Sequence, residues 1–498
     1  MLHFLERFSA FKKSRFVYPS RWPPGSSGTV EEDTGTPRET CDHVYQQGTE
    51  APPRLIVLWT PFWHQWTSWG NIVQQRGRLR EARCPIWRCE FVWTPESTLH
   101  RVAEADAVVF FSLDFFTRPL PPRHPRQLWI WLELEVPPMS QIATASWATA
   151  EKKGTFFNVT MSYHHLNHIM LPQGYLLPLN TPSHCPLLPT SHLNTSSAAF
   201  RSYSEHLARY DSLTQGESLR LDHWLKAKVL RLRNNSGRAF PQSHSRKAPG
   251  GQGNITETFR QNNVNNAAKK DENEKHNVED SRGSTKLDNT INGNDEDERK
   301  FKTVLTEEEV RWAGRTQLAV WMASNCPTDS RRESVVAALQ RHVKVTTVGK
   351  CGELTCGRNH MDTYCYRWLA ASHLFYLSFE NALCDDYHTE KLWLPMEHAM
   401  VPVVYGGARY RDILPFESYI DVAAFSSAKA LARHLVYLAN HPLVYLRHLQ
   451  WRRYWRVRWP VPWCSLCERL HNPHPHPTHT TLNRWWNDTA DCYEPLTW

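Results

Sequence analysis

Residues 375–407 constrain the fold of this chain more than any other stretch. An apolar, aromatic-rich run, Phe375–Phe379, leads directly into Glu380 and Asn381. A helix-like segment then separates it from a second apolar run that ends in two glycines. A strand, a loop, a helix and a second strand in this order form the repeating unit of a parallel, nucleotide-binding sheet. The stretch therefore predicts an α/β fold.

The start of the predicted helix has the features of an anion site. Thr389 is a residue type that caps helices, Glu390 occupies the first turn, and Lys391 follows it. Free backbone N–H groups and the positive end of the helix dipole attract a phosphate, and a lysine adds a full charge. We therefore expect a bound diphosphate to lie beside Lys391.

Composition bounds the class of protein. The formal net charge of +8 is modest for 498 residues, and charges of both signs are dispersed, which argues against a dedicated nucleic-acid-binding protein. Twelve cysteines and several N-x-S/T sequons favour the secretory pathway, where disulfides persist and glycans are added. The candidate N-glycosylation sites are Asn158, Asn194, Asn234, Asn254 and Asn487.

Apolar runs and polar stretches divide the chain into regions. Apolar strands separated by helical segments predict two α/β domains, whereas two polar stretches cannot bury enough apolar surface to fold. The predicted regions are a disordered stem at 1–51, a first α/β domain at 52–195, a connecting segment at 196–233, a disordered Asn-rich, charged insertion at 234–300, a second α/β domain at 301–450 and a Cys-, Trp- and His-rich tail at 451–498.

Two glutamates follow the predicted strand Trp129–Leu132, and catalytic groups collect at the ends of such strands. A carboxylate there can remove the proton of a hydroxyl nucleophile. Glu135 is our candidate for this general base, with Pro137 keeping the preceding backbone extended. Glu133 competes with it, because strand alternation would place both side chains on the same face.

A candidate phosphate-binding arginine lies beyond the run Ser324-Asn325-Cys326, where Arg331 and Arg332 are adjacent. A guanidinium binds a phosphate through two parallel hydrogen bonds. The spacing to the apolar residues Val335 and Leu339 favours Arg332, although either arginine fits an ordinary surface position.

The run F-Y-L-S-F-E-N, continued by D-Y-H-T-E-K-L, resembles the signature of the α1,3-fucosyltransferases, which use GDP-fucose. The L-E-x-P run at Glu135 and the S-N-C…R run at Arg332 resemble further motifs of this family. The resemblance implies a GT-B fold, with two Rossmann-like α/β domains facing a cleft. It also implies an inverting glycosyltransferase that moves L-fucose from GDP-β-L-fucose, in α1,3 linkage, to GlcNAc of glycoprotein N-glycans, with Glu135 as general base.

The resemblance also implies roles for the residues of the signature. Asn381, Tyr387 and Glu390 would contact the nucleotide and the fucose, and Glu380 would serve nearby. Arg332 and Lys391 would bind the diphosphate. The D-x-D run is a metal-binding motif of many glycosyltransferases. Its formal match here, at 295–297, lies in the acidic part of the insertion and fits solvated charge better. We therefore expect no essential metal, and stimulation by Mn²⁺ stays open.

One motif departs from the family pattern. Where the family usually shows N-x-T-x-S-Y-R-x-D-S-D-I, this chain has His164 in place of the arginine, and Leu166 and His168 in place of the acids. These losses concern donor or acceptor handling. A catalytically decayed relative that binds GDP-fucose or glycan without turnover is therefore the alternative hypothesis.

The tail contains a C-x-x-C run followed by histidines, which fits either a zinc site or disulfides. The histidines are His471, His474, His476 and His479. The resemblance implies that the two cysteines of this run, Cys464 and Cys467, form disulfides with Cys84 and Cys89, which lie near the first strand. The tail would then pack back on the first domain. It further implies a bridge between Cys326 and Cys384.

The resembled family consists largely of Golgi membrane proteins with one N-terminal anchor helix and a lumenal catalytic domain. Because no segment here has the roughly 18–20 apolar residues that span a bilayer, we expect the gene prediction to be incomplete at its start. The tail resembles that of invertebrate members acting on the N-glycan core, whereas the region around Val403–Gly407 resembles members that decorate antennae. The acceptor therefore stays open.

Overall fold

The computed structural model describes residues 52–67, 69, 79–80, 83–139, 157–181, 193–216, 221, 224–230, 305–355, 363–461, 463–472 and 482–498. Several predicted features lie outside these residues. They are the stem, the insertion with its D-x-D run, the sequons at Asn234 and Asn254, and the tail histidines His474, His476 and His479.

The first domain contains a six-stranded sheet with the order β2-β1-β3-β4-β5-β6, in which all neighbouring strands are parallel. Parallel sheets are covered on both faces, and all residues of β3, with the sequence AVVFF, are accordingly buried. The strands of this domain are β1 (Arg54–Leu58), β2 (Cys89–Val92), β3 (Ala107–Phe111), β4 (Leu128–Glu133), β5 (Val159–Ser162), β6 (Ile169–Met170) and β7 (Tyr175–Pro178), which pairs elsewhere.

The second domain contains a five-stranded parallel sheet with the order β12-β11-β10-β8-β9. Its central strand β10 is buried along its whole length, as the apolar sequence predicts. The strands are β8 (Gln317–Met322), β9 (Val345–Val348), β10 (His373–Phe379), β11 (Val401–Tyr405), β12 (Ile420–Asp421) and β13 (Trp455–Arg458), the last of which pairs antiparallel with β7.

Helices pack against both sheets, and α8 illustrates how the sequence forms them. Ser427 caps α8 by accepting a hydrogen bond from the amide of Ala430, at 3.2 Å, and Leu431, Leu435 and Leu438 form its buried face. The α-helices are α1 (Pro95–Arg101), α2 (Ala198–Gly216), α3 (Glu307–Ala313), α4 (Arg332–Gln340), α5 (Thr363–Ser372), α6 (Glu390–Glu397), α7 (Tyr410–Ile413), α8 (Ala428–Asn440), α9 (Pro442–Arg447), α10 (Trp463–His471) and α11 (Leu482–Ala490).

Both sheets have the same doubly wound topology. The strand order reverses between β1 and β3 in the first sheet and between β8 and β10 in the second. Ligands of such sheets bind outside the carboxyl ends of the strands at this switch point. In the second domain that point is the end of β10, where Glu380 and Asn381 follow Phe379. The predicted α/β fold with two GT-B-type domains is confirmed.

The tail packs back on the first domain. Two disulfides join α10 to the region around β2, as the resemblance implies. The individual pairs, which the sequence left open, are Cys84 with Cys464 and Cys89 with Cys467. Because a bridged cysteine does not bind zinc, the zinc interpretation of the C-x-x-C run is wrong. In α11, the Trp486 ring lies 5.1 Å from the Trp131 ring of the first sheet.

The predicted bridge between Cys326 and Cys384 is wrong. Cys326 instead pairs with Cys351, whose amide donates to the carbonyl of Ala323 at 3.1 Å and so lies beside the end of β8. Cys384 pairs with Cys492 of the tail. Sequence motifs place each cysteine on a loop, but the choice of partner depends on which loops the fold brings within bonding distance.

None of the helices within the described residues combines the length and the apolar character that crossing a membrane requires.

Trp486 gives a test of how the tail contributes to stability. Its ring is fully buried against Trp131 and Tyr163, so Trp486→Ala should lower the free energy of unfolding by about 3–5 kcal/mol. Thermal unfolding should show this as a lower Tm. Trp368→Ala is the matched control, because that side chain is 48% exposed and should change stability by no more than about 0.5 kcal/mol. Equal losses in the two variants would contradict the packing role of α11.

Candidate functional site

A buried carboxylate organises the loop that follows β10. The Glu380 side chain is only 1% exposed. Its Oε1 accepts hydrogen bonds from the amide of Thr389, at 2.8 Å, and from the Thr389 hydroxyl, at 3.0 Å. Because a buried carboxylate must be paired, these bonds hold the N-terminus of α6 beside the end of β10.

Lys391 completes this cluster in the first turn of α6. Its Nζ lies 3.5 Å from Glu380 Oε2 and 3.2 Å from Glu390 Oε1. Burial lowers the pKa of the Lys391 ammonium, but the carboxylates of Glu390 and Glu380 outweigh burial, and the pKa is raised above its usual value. Thr389 caps the helix as predicted. The cluster thus keeps a charged ammonium at a helix N-terminus.

Arg332 lies beside the switch point of the second sheet. Its side chain is buried, and its guanidinium donates to the carbonyl of Phe379 at 2.8 Å and to that of Asn325 at 2.9 Å. These bonds tie the end of β10 to the loop after β8. The guanidinium therefore braces the switch point, while its Nε has no hydrogen-bond partner within the described part of the chain. The contact between Arg332 and the diphosphate remains a prediction. The adjacent Arg331 is exposed and has a positive φ of 49°.

Asn381 lies at the same switch point with an unused acceptor. The residue is 8% exposed, and its amide Oδ1 has no hydrogen-bond partner within the described part of the chain. A buried acceptor without a partner is costly and rare in folded proteins. The predicted contact between Asn381 and a ligand hydroxyl remains a prediction, but this oxygen is one that a hydroxyl can satisfy.

Glu135 of the first domain meets Tyr387 of the second. The Tyr387 hydroxyl is buried and donates to Glu135 Oε2 at 2.9 Å. Burial raises the pKa of the Glu135 carboxyl, while the Tyr387 hydrogen bond and the Lys391 charge oppose that rise. The fold thus brings Glu135 into the electrostatic environment of Lys391, Glu390 and Glu380, although they are distant in sequence.

The structure separates Glu133 from Glu135. Glu133 is fully buried, and its Oε1 accepts the backbone N–H groups of Leu134, at 2.9 Å, and Glu135, at 2.8 Å. Ser112 donates to its other oxygen. Burial raises the pKa of the Glu133 carboxyl to about 8. Strand alternation was expected to place both side chains on one face, but β4 ends at Glu133 and the alternation stops there. Glu133 instead supports the turn that carries Glu135.

The altered motif at His164 forms a contact between the two domains. The amide of His165 donates to Asp386 Oδ2 at 3.1 Å, and the His165 ring bonds the same carboxylate. His164 Nε2 lies 3.9 Å from that oxygen. Burial lowers the pKa of His164 to about 4, so its imidazole is neutral at physiological pH. The sequence analysis missed Asp386 as a partner of this motif, although it directly precedes Tyr387.

Among the described residues, two groups of three side chains have the spacing of metal ligands. One contains Cys89 and Cys467, which form a disulfide. The other is His164, His165 and Asp386. In this second group the amide of Leu166 lies 3.1 Å from His164 Nδ1, so the neutral ring carries its proton on Nε2. A metal on Nε2 would need the opposite tautomer.

The sequence analysis also missed a strained loop at the switch point of the first sheet. Trp63 and His64 follow β1 and have positive φ angles of 53° and 61°. The buried Asp114 accepts the amide of His64 at 2.9 Å and contacts its Nδ1 at 2.5 Å. Consecutive aromatic residues just beyond a strand were the available signal. Strain of this kind is commonly found at functional sites.

Two family models match the chain. One, described as the C-terminal region of glycosyltransferase family 10 (fucosyltransferase), matches residues 312–485. The other, described as the N-terminal region of fucosyltransferases, matches residues 51–174. Together the two matches contain every strand of the two parallel sheets, and therefore both switch points.

The chain is 27% identical over 442 residues to α-(1,3)-fucosyltransferase C of Drosophila melanogaster, covering 87% of this chain and 77% of the relative. It is 34% identical over 145 residues to α-(1,3)-fucosyltransferase fut-1 of Caenorhabditis elegans, covering 29% of this chain and 33% of the relative. It is 32% identical over 198 residues to glycoprotein 3-α-L-fucosyltransferase A of Drosophila melanogaster, covering 38% and 39%. A crystal structure of an α1,3-fucosyltransferase with GDP-fucose aligns with 80% of this chain and 82% of its own, at 14% identity and a TM-score of 0.37.

A double-mutant cycle tests the pairing of Lys391 with Glu380. Lys391→Met leaves the buried Glu380 carboxylate without the ammonium 3.5 Å away and should lower the free energy of unfolding by roughly 2–3 kcal/mol. Adding Glu380→Gln should recover at least half of that loss, because a neutral amide needs no counter-charge. Chemical denaturation measures both, with the exposed Lys350→Met as control. A further loss in the double variant would contradict the pairing.

Proposed function

Because the chain belongs to the α1,3-fucosyltransferases of glycosyltransferase family 10, we propose that it transfers L-fucose from GDP-β-L-fucose to the 3-hydroxyl of a GlcNAc. The observation that carries this proposal is the contact between the two domains. It sets the Glu135 carboxylate against Tyr387, in the loop that leads into the Lys391 cluster. A base from one domain and a cation from the other are what the reaction requires.

The proposed donor site lies at the start of α6. The leaving GDP develops negative charge, which Lys391 and the positive end of the α6 dipole would stabilise. Asn381 would accept a hydroxyl of the nucleotide or the sugar, and Glu390 would lie beside the fucose. Arg332 would bind the diphosphate from the other side, and it also fixes the end of β10 through backbone carbonyls. Because the formal D-x-D run at 295–297 lies in the acidic insertion, we propose no essential metal.

Glu135 would act as the general base of a single displacement. Its carboxylate accepts the proton of the acceptor hydroxyl as that oxygen attacks the anomeric carbon, and the bond from this carbon to the GDP oxygen breaks on the opposite face. A β-linked donor then gives an α-linked product, so the reaction inverts. Burial raises the pKa of the Glu135 carboxyl. A carboxylate with a higher pKa is a stronger base and accepts the proton of the acceptor hydroxyl more readily.

We also propose a glycoprotein N-glycan as the acceptor and the Golgi lumen as the location, with membrane association. Support comes from the disulfides, which persist in secretory compartments, and from a relative named as a glycoprotein 3-α-L-fucosyltransferase.

Transfer from GDP-fucose to a panel of defined core and antennal glycans tests the proposal. Wild-type protein should turn over at least one acceptor. Glu135→Gln should lose roughly 10²–10⁴-fold in kcat, as expected for removal of a general base. Lys391→Ala should lose on the order of 10²-fold. Glu96→Gln and Lys350→Ala make the same charge changes at exposed positions and should retain wild-type activity.

The alternative hypothesis, a decayed relative, gives a different result in the same experiment. Its motivation is the altered His164 motif, which lacks the usual arginine. Such a protein would show no turnover on any glycan, while GDP-fucose binding measured by calorimetry would persist and weaken in Lys391→Ala. Absence of both turnover and binding would sink the proposal and the alternative together.

The hydrogen bond from Tyr387 predicts the pH dependence of the reaction. That bond lowers the pKa of Glu135 against the effect of burial, so Tyr387→Phe should raise it. The base acts in its deprotonated form, and the acidic limb of kcat/KM against pH should therefore move to higher pH. Tyr437→Phe, at an exposed tyrosine, should leave the profile unchanged. A limb that stays in place would show that Glu135 is not the titrating base.

A further inference from the structure

A cavity of about 500 Å³ lies between the loop that follows Glu135 and the C-terminal tail. It is separate from the Lys391 cluster. Its lining residues come from both segments and are Pro137, Pro138, Asn487, Asp488, Asp491 and Cys492.

Resting on the fucosyl transfer proposed above, we propose that this cavity, the tail pocket, holds the sugar that adjoins the accepting GlcNAc. We further propose that Asp491 makes the tail pocket selective for neutral over anionic sugars. Asp491 would thus be a specificity-determining residue of the acceptor site.

The position of the tail pocket supports an acceptor role. Pro137 follows Glu135 by two residues, and adjacent Cα atoms are about 3.8 Å apart, so the two Cα atoms are separated by no more than about 7.6 Å. An acceptor whose hydroxyl meets the Glu135 carboxylate has its neighbouring sugars close to this loop. The tail pocket opens beside the same loop.

The tail wall of the pocket is fixed before any ligand binds. The Cys384–Cys492 disulfide joins it to the loop that carries Tyr387. The amide of Tyr493 donates to the carbonyl of Leu383, and that of Asp385 to the carbonyl of Ala490, each at 2.7 Å. A wall held in place in this way costs little further ordering when a sugar binds.

The lining chemistry fits a neutral sugar. The carboxylate and amide oxygens of the tail accept hydrogen bonds, which sugar hydroxyls donate, and the proline rings offer flat apolar surface. Asp491 is exposed, and none of the described lining residues is cationic. A sugar that carries a carboxylate would therefore meet like charge at this wall, which lowers its affinity.

The test compares the best neutral acceptor from the panel with the same glycan carrying a uronic acid in place of the hexose next to the accepting GlcNAc. Wild-type protein should prefer the neutral form in kcat/KM. Asp491→Asn should reduce that preference about fivefold, and Asp491→Lys should reduce it further or invert it. Asparagine tolerates the positive φ of 35° at this position, so the fold should be retained.

Matched controls isolate the pocket. Glu494→Gln removes a carboxylate from the same tail but outside the pocket and should leave the preference unchanged. All proteins in the comparison carry Thr489→Ala, which removes the sequon at Asn487 without changing a lining residue. Salt gives an independent readout. Raising the ionic strength to about 0.5 M should weaken the preference for the neutral acceptor in the protein that retains Asp491. It should not weaken that preference in the Asp491→Asn variant.

An unchanged preference in Asp491→Asn, with turnover of the neutral acceptor intact, overturns this inference and leaves the fucosyl transfer standing. If no glycan is turned over, the proposed activity fails, and the pocket is then judged by ligand-observed NMR titration of the same two glycans. Selective binding of the neutral glycan that Asp491→Asn abolishes supports the pocket, and equal binding of both refutes it.

Discussion

Burial of the Glu380 carboxylate at the end of the central strand β10 is the interaction on which the candidate site depends. A carboxylate that is 1% exposed needs hydrogen bonds and a counter-charge. Thr389 supplies the first and Lys391 the second, so the start of α6 is held against the sheet. The Lys391 ammonium and the N-terminal end of α6 thereby lie at the switch point of the second sheet, where such folds bind ligands.

The candidate site also depends on the contact between the two domains, which is made by several residues at one place. Tyr387 donates to Glu135, and His165 contacts Asp386 in the same loop. A Cβ on Gly407 would lie 2.2 Å from the carbonyl oxygen of Cys384, so a glycine is needed for the loop after β11 to approach this closely. The Cys384–Cys492 disulfide adds the tail to the same junction. The catalysis proposed across this domain boundary would need such fixed placement, because small displacements of a base are costly.

Much of this arrangement follows from sequence patterns. The apolar run Phe375–Phe379, the cap at Thr389 and the cysteines of the tail each predicted what the structure shows. Cys326 did not follow the prediction, because it binds Cys351. The bonds from Arg332 to backbone carbonyls were also not predicted, although its contact with a ligand stays a prediction. Both partners depend on how β8, β9 and β10 lie side by side.

The sequence by itself determined the two α/β domains, the helix start at Thr389 and the set of candidate residues, because these depend on local periodicity, capping and motif spacing. Only the tertiary structure shows that Glu133 and Glu135 have different surroundings. Both follow the same strand, but one carboxylate is enclosed by Ser112 and the backbone of its own turn, while the other meets Tyr387. Ser112 and Glu133 are more than 20 positions apart in the sequence, and Tyr387 and Glu135 are more than 250 positions apart. Local sequence does not encode contacts over such separations.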